Sequence, residues 1–371
     1  MLKKLRFGVI GCGGIAQMMH IPYLNEYEQF EIVALSDMYA PVLNAVGDHY
    51  HVAARYTDYH EMLKRDDIDA VGIFHSGSHH DSVIAALDAG KHVFVEKPLA
   101  WNLREVEEIA AKVKERGKTL QVGYHKLYDP AFTYTRDLVR QMPDLASVRI
   151  TVLHPDDNLG RSTHRVRKGS DVYLEGHYPP DEAEVARPKM LEGSAEGALA
   201  PLVDEVLGDR KDDKRLRLAY GQLPDSMIHQ VYTLFGFLGK PERVLHTDVW
   251  RDGLSLHSVI AYPNFNVILD WQYLANLKDY FEEYAFFGNH DRIYMQMPSP
   301  YFANFPTPVI VEGGDGELAY SKRVIVSYDE AFKRELLAFY DNVIEGKKPI
   351  SSIDDALEHA KFMEDVIHAA T

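Results

Sequence analysis

Six residues near the start, Gly11-Cys12-Gly13-Gly14-Ile15-Ala16, follow a short apolar run, Leu5–Ile10, and open a helical stretch. In that setting G-x-G-x-x-A predicts a phosphate cradle. Gly11 permits the tight turn, Gly13 lets backbone approach a pyrophosphate, and Ala16 allows close helix–strand packing. Gly14 and Ile15 complete the loop, and the helix N-terminus offers N–H donors to the phosphates. About twenty residues on, the run Glu31–Ser36 ends at Asp37, where a carboxylate accepts hydrogen bonds from ribose hydroxyls and repels a 2′-phosphate. Met38 and Tyr39 provide no arginine to receive such a phosphate. The predicted cofactor is NAD in preference to NADP. Cys12 reads as a small turn residue and not as a nucleophile.

Glu96-Lys97-Pro98 comes directly after another apolar run, His92–Val95. Ligands of open parallel sheets sit outside the carboxyl ends of the strands, so Lys97 is expected to face the cofactor crevice. A lysine there can hydrogen-bond a substrate oxygen and pass protons. Three histidines cluster in His75-Ser76-Gly77-Ser78-His79-His80, but no cysteine or carboxylate spacing accompanies them, and no metal is predicted.

The elements that must position these residues alternate through the first third. Strand-like runs at Leu5–Ile10, Glu31–Ser36, Ala70–Phe74, His92–Val95 and Leu120–Gly123 are separated by helical patterns. One helix, Asp81–Ala89, stops at Gly90, and another starts at Asn102 with Glu105 as its capping partner and stops at Gly117. Alternation of this kind predicts βαβ units and a parallel sheet.

The texture changes near Asp129-Pro130. From Ser147 the runs Val148–Leu153, Leu254–Ala261, Phe265–Tyr273, Tyr280–Phe287, Ile293–Met297 and Val324–Val326 suggest antiparallel strands, with Pro263-Asn264 as a turn. Between Pro155 and Leu218 lies a polar, acidic excursion that includes Tyr178-Pro179-Pro180 and reads as part loop, part exposed helix. It opens with His154, Asp156, Asp157, His164, Arg165 and Arg167, a substrate lid or a solvated loop. Two amphipathic helices, Asp329–Glu345 and Ile353–Ala370, close the chain.

At 371 residues, with 46% hydrophobic and 26% charged positions, the chain is expected to form two globular domains. A net charge of −16 argues against a nucleic-acid or anionic-membrane surface. The single cysteine fits a reducing compartment. Phe7–Ile10 is shorter than the apolar core of about 7–15 residues that a signal peptide uses, and no run of about 18 apolar residues occurs. A cytoplasmic protein is expected.

The combination of motifs resembles the glucose–fructose oxidoreductase and inositol dehydrogenase family, Gfo/Idh/MocA. The resemblance is carried by Ala89-Gly90-Lys91-His92-Val93 before Glu96-Lys97-Pro98, by Gly123-Tyr124-His125-Lys126-Leu127-Tyr128-Asp129-Pro130-Ala131-Phe132, by Asp225-Ser226-Met227-Ile228-His229, and by the closing helix. It implies an α/β fold, with a Rossmann parallel sheet over residues 1–124. An α+β domain over 125–371 would follow, with a large open, mainly antiparallel sheet through which such proteins commonly form homodimers or homotetramers. Residues 353–370 would pack back towards the Rossmann domain. By position, Lys97, Asp225 and His229 are the implied catalytic set. Asp225 and His229 are i and i+4, hence on one helix face, and histidine titrates in the range needed to accept a hydroxyl proton. A lone D-x-x-x-H is ordinarily a helix-surface pair. Ser76, His80, Glu96 and Lys97 join the glycine loop and Asp37 as implied cofactor contacts. His125, Lys126 and His154 join Lys97, Asp225 and His229 as substrate contacts. His75, Ser76 and Gly77 depart from the family's usual loop.

The implied activity is hydride transfer between NAD and a carbinol of a sugar, sugar derivative or cyclitol. Two other readings stand beside it: a glycoside-cleaving enzyme that oxidises transiently and eliminates, using the same three residues, and a non-catalytic dinucleotide sensor.

Overall fold

The computed structural model describes residues 3–156, 158–168, 171–174 and 197–371. Two compact units emerge. The described residues of Met1–Tyr124, Arg161–His177 and Phe332–Leu357 form the first; those of His125–Gly160, Tyr178–Ala331 and Glu358–Thr371 form the second.

In the first unit, β1 (Leu5–Ile10), β2 (Phe30–Ser36), β3 (Arg55–Tyr56), β4 (Ala70–Ile73), β5 (His92–Val95) and β6 (Leu120–Val122) form a sheet in the order β3-β2-β1-β4-β5-β6. Every pairing is parallel. The central strands are buried on both faces, which is why β4 and β5 read as continuous apolar runs and not as alternations. Helix Leu103–Arg116 is capped as expected: the Asn102 side chain accepts from the Glu105 N–H, and Gly117 takes the left-handed conformation at φ 61. Helix Ala331–Glu345 brings Phe339 edge-on to Phe7 and Phe94.

β7 (Leu145–His154) opens the second unit's sheet. After it the chain forms a two-stranded hairpin, β8 (Arg165–Lys168) and β9 (Asp171–Leu174), in the part that clusters with the first unit. Gln17 grips this hairpin as a peptide group would. Its amide donates to the Arg167 carbonyl at 3.1 Å and accepts from the Arg167 N–H at 2.7 Å.

The larger sheet is completed by β10 (Arg243–Trp250), β11 (Ser255–Ala261), β12 (Asn266–Tyr273), β13 (Phe281–Gly288), β14 (Arg292–Met297), β15 (Pro308–Asp315) and β16 (Leu318–Ile325), ordered β10-β11-β12-β7-β13-β14-β15-β16. All pairs are antiparallel except β7 with β12. β7 comes first in the chain but is central in the sheet, so β12 returns alongside it in the same direction. One face carries the core, including Val148, Ile150 and Val152 on β7 together with Trp271 and Phe286.

In the excursion between Pro155 and Leu218, where a mix of loop and exposed helix was expected, the described residues include the hairpin β8–β9 and helices with buried faces. Helices Ala200–Leu207 and Lys214–Gln222 bury Val203, Leu207, Leu216 and Tyr220. Tyr178-Pro179-Pro180 and Asp157 lie outside the described residues.

Candidate active site

The glycine loop leaves the carboxyl end of β1. Gly11 has φ 91, and a Cβ there would fall 2.5 Å from the His75 backbone nitrogen, so only glycine lets β1 and β4 end side by side. Around Gly13 a Cβ would meet nothing within 4 Å. This open face over a helix start is what the close approach of a pyrophosphate requires. Asp37, at the end of β2, accepts the Cys12 N–H on one carboxylate oxygen at 2.7 Å and the Tyr39 N–H on the other at 2.8 Å. The two bonds fix the carboxylate, and each oxygen retains a further lone pair for a ribose hydroxyl. The residues therefore fit a dinucleotide. Cys12 is buried, and burial followed by the charge of Asp37 pushes its thiol far up, which suits a turn residue and not a nucleophile.

The three histidines after β4 have local partners. His75 meets the Ser82 hydroxyl at 2.9 Å. His79 is buried between the carbonyl oxygens of Pro98 and His75, and burial lowers its pKa to about 4. His80 lies between the carboxylates of Asp81 and Glu108, at 2.8 and 2.9 Å. Ser76 is exposed at the tip of this loop. Among the described residues, no group of three or more His, Cys, Asp or Glu side chains could hold a metal.

Lys97 follows β5 in the first unit and is half-buried. Glu96 beside it is buried and points inward, where it meets His20. The carboxylate of Glu96, a cofactor contact in the expectation above, meets His20 on one oxygen and accepts the Lys97 backbone N–H on the other.

In the second unit, His229 stands on helix Ile228–Leu238, directly after a π-helical turn, Leu223–Met227, that contains Asp225. The widened turn departs from the regular i,i+4 geometry assumed for an α-helix, and such turns recur at functional sites. The His229 Nδ1 meets the Tyr232 hydroxyl at 2.8 Å. The His125 ring packs edge-on against His229 with centroids 5.2 Å apart.

Lys126 is buried, and its ammonium is 2.5 Å from the Glu282 carboxylate. Glu282 also accepts from the hydroxyls of Tyr280 and Tyr284, each at 2.5 Å, and from the Gln230 amide at 2.8 Å. Burial alone would raise its pKa; Lys126 and the hydroxyl donors outweigh burial and hold it below the usual carboxylate range. Lys126, a substrate contact in the expectation above, is paired with Glu282 in this network. His154, at the end of β7, packs edge-on against Tyr280 and near Trp271 and Tyr273. A continuous set of polar and aromatic contacts therefore runs from His154 through Tyr280 and Glu282 to Gln230, the neighbour of His229.

Tyr232 and Glu282 were not singled out from the sequence. Tyr232 sits one turn after His229, which was a usable signal. Glu282 alternates with Tyr284 and Phe286 on the buried face of β13, and a charge on an apolar face implies a buried partner.

Residues 5–124 match the profile of the Gfo/Idh/MocA oxidoreductase family, described as having an NAD-binding Rossmann fold. The chain is 34% identical over 140 residues to an uncharacterised oxidoreductase, YrbE, of Bacillus subtilis, covering 38% of this chain and 41% of that protein. It is 31% identical over 138 residues to inositol 2-dehydrogenase of Salmonella typhimurium, covering 36% and 41%. The match thus spans about two fifths of the length of these relatives. Across almost the whole chain the fold is similar to that of KijD10, a 3-ketoreductase from Actinomadura kijaniata solved with NADP and TDP-benzene. The TM-score is 0.73 at 19% identity, covering 99% of this chain and 98% of that one. A probable dehydrogenase from Thermotoga maritima gives 0.68 at 21% identity, covering 97% and 94%.

Proposed function

We propose that the chain, whose residues 5–124 match the Gfo/Idh/MocA oxidoreductase family with its NAD-binding Rossmann fold, is an oxidoreductase acting on a carbinol of a sugar, sugar derivative or cyclitol, with NAD as its preferred cofactor. The observation that carries this reading is His229, whose Nδ1 is occupied by the Tyr232 hydroxyl at 2.8 Å, in a chain that also holds the dinucleotide loop. An imidazole fixed at one nitrogen is arranged for general-base work at the other.

When bound, the nicotinamide supplies the hydride acceptor. The chain's own groups handle the oxygen and its proton. His229 takes the hydroxyl proton as the carbonyl forms, Lys97 steadies the oxygen with its ammonium, and Asp225 biases the imidazole electrostatically. The Lys126–Glu282 network with its tyrosines keeps Gln230, and so the start of the helix that bears His229, in place. Support for the substrate class comes from an inositol dehydrogenase among the relatives and a 3-ketoreductase among the structural neighbours. NAD is favoured over NADP by Asp37, although that structural neighbour holds NADP.

No helix among the described residues is long and apolar enough to cross a membrane. The single cysteine is buried and suits the cytoplasm, where the proposal places the enzyme. The test is oxidation of a panel of sugars and cyclitols followed by NADH absorbance. Substrate-dependent NADH supports the reading, and release of an aglycone from glycosides without NADH overturns it in favour of redox-assisted cleavage.

A further inference from the structure

Lys97 is tied to a buried carboxylate–imidazole pair. The helix that follows the glycine loop begins with a π-helical turn, Ala16–His20, and His20 is the last residue of that turn. Its ring is completely buried, stacked on Phe74 with centroids 4.2 Å apart and edge-on to Phe94 and Phe332. Three aromatic side chains therefore fix the plane of the imidazole, and its Nε2 lies 2.6 Å from Glu96 Oε1. The other oxygen of Glu96 accepts the Lys97 backbone N–H at 2.9 Å. A buried carboxylate is stable as an anion only when donors or cations replace its water. Glu96 has one such donor from each side, and one of them belongs to the residue whose ammonium the proposed reaction uses.

We propose that His20 is a positioning residue for Lys97, acting through Glu96: the imidazole orients the Glu96 carboxylate, and that carboxylate fixes the Lys97 backbone and lays its negative charge beside it. This rests on the reading of Lys97 as the group that holds the substrate oxygen. The direction of the Glu96 titration agrees. Burial pushes it up, but the His20 hydrogen bond and charge, the Lys97 charge and the Lys97 N–H together hold it below the ordinary value. Two other titratable groups face Glu96. Glu335, on helix Ala331–Glu345, is buried and is raised well above the ordinary range, by burial first and by the Glu96 charge second. His79 also feels the Glu96 charge and is held neutral by burial.

The test reads Lys97 directly and needs no substrate. The amine of the intact chain is acetylated with acetic anhydride at a series of pH values, and the Lys97 peptide is quantified by mass spectrometry. Glu96→Gln is expected to speed Lys97 acetylation at a fixed pH by severalfold, up to roughly tenfold, because the negative charge beside it is removed. His20→Phe is expected to shift it in the same direction, and His20→Gln, which restores an amide donor to Glu96, to bring it back towards the unsubstituted protein. The double variant is expected to match Glu96→Gln alone, because His20 acts only through Glu96. Unchanged Lys97 titration in a folded Glu96→Gln or His20→Phe protein overturns the proposal, as does an additive double variant. If His20→Phe does not fold, Glu96→Gln against Glu96→Asp decides it. Only Glu96→Asp keeps the charge, so equal titration in these two variants also overturns the proposal. Failure of the underlying reading shows elsewhere: Lys97→Ala would retain full turnover with NAD and the substrate found by the panel, whatever the labelling gives.

Discussion

His229 and Tyr232 are joined by a 2.8 Å contact between ring Nδ1 and phenolic oxygen, one helical turn apart. The orienting partner of the histidine is thus supplied by its own helix. His229→Ala is expected to lower kcat/KM by roughly 10²–10⁴-fold, the contribution of a general base, with NAD affinity nearly unchanged. Tyr232→Phe removes one hydrogen bond worth about 0.5–1.5 kcal/mol, so a loss of roughly 2- to 13-fold is expected, confined to kcat. Asp225→Asn is expected to cost less than His229→Ala. Steady-state rates with NADH detection, alongside NAD titration by calorimetry, check all three.

Asp37 spends one lone pair of each oxygen on backbone N–H groups and faces no arginine at Met38 or Tyr39. NAD is expected to bind at least about tenfold more tightly than NADP, or about 1.4 kcal/mol. Asp37→Ala should narrow that gap. Equal dissociation constants by calorimetry would refute the assignment.

The Lys126–Glu282 pair is buried on both sides. Removing one partner of such a pair costs about 3–5 kcal/mol, which is the expected loss in Lys126→Met. The pH dependence has a definite sign. In the intact protein the Glu282 pKa is depressed, so its contribution is present above the unfolded value of about 4.3 and is lost as pH falls through the folded value. Without Lys126, burial dominates and the folded pKa rises, so the variant's deficit should grow from pH 4 to pH 7. Thermal melts at the two pH values decide this.

Glu335 runs the other way. Its folded pKa is raised well above the ordinary value, and neither carboxyl oxygen has a hydrogen-bond partner among the described residues. Below about pH 4.3 it costs nothing through ionisation; above that, the unfolded state ionises first and stability falls by about 1.4 kcal/mol per pH unit up to the folded value. Glu335→Gln is therefore expected to match the parent near pH 4 and to exceed it increasingly towards pH 8. A constant difference in denaturation midpoint across that range would contradict the assignment.

The second unit's sheet leaves Leu153, Ile268, Phe287, Tyr294 and Ile310 half-buried on the face opposite the Val148–Phe286 core. Apolar area of this kind is usually covered by another chain. A dimer or tetramer is expected by light scattering at micromolar concentration, and Tyr294→Lys should weaken it.

What the sequence determined by itself was what depends on neighbours along the chain. The glycine loop, the strand-end Asp37 and Lys97, the Asn102 cap, the Gly117 stop and five of the six parallel strands follow from apolar periodicity and turn chemistry within a few residues. β10 and β15 were missed for different reasons: most of β10 is exposed or half-exposed, and the apolar run of β15 is only Val309–Val311, set between Pro308 and Gly313-Gly314. Only the tertiary structure decided that β12 pairs parallel to β7, that Lys126 answers Glu282 across 156 positions, and that His20 answers Glu96 across 76. The physical reason is that a buried charge requires a partner, but the chain leaves open which distant side chain packing will deliver. Both π-helical turns, which set where His20 and His229 sit, belong to this second class, because a widened turn is selected by the contacts it permits and not by local propensity.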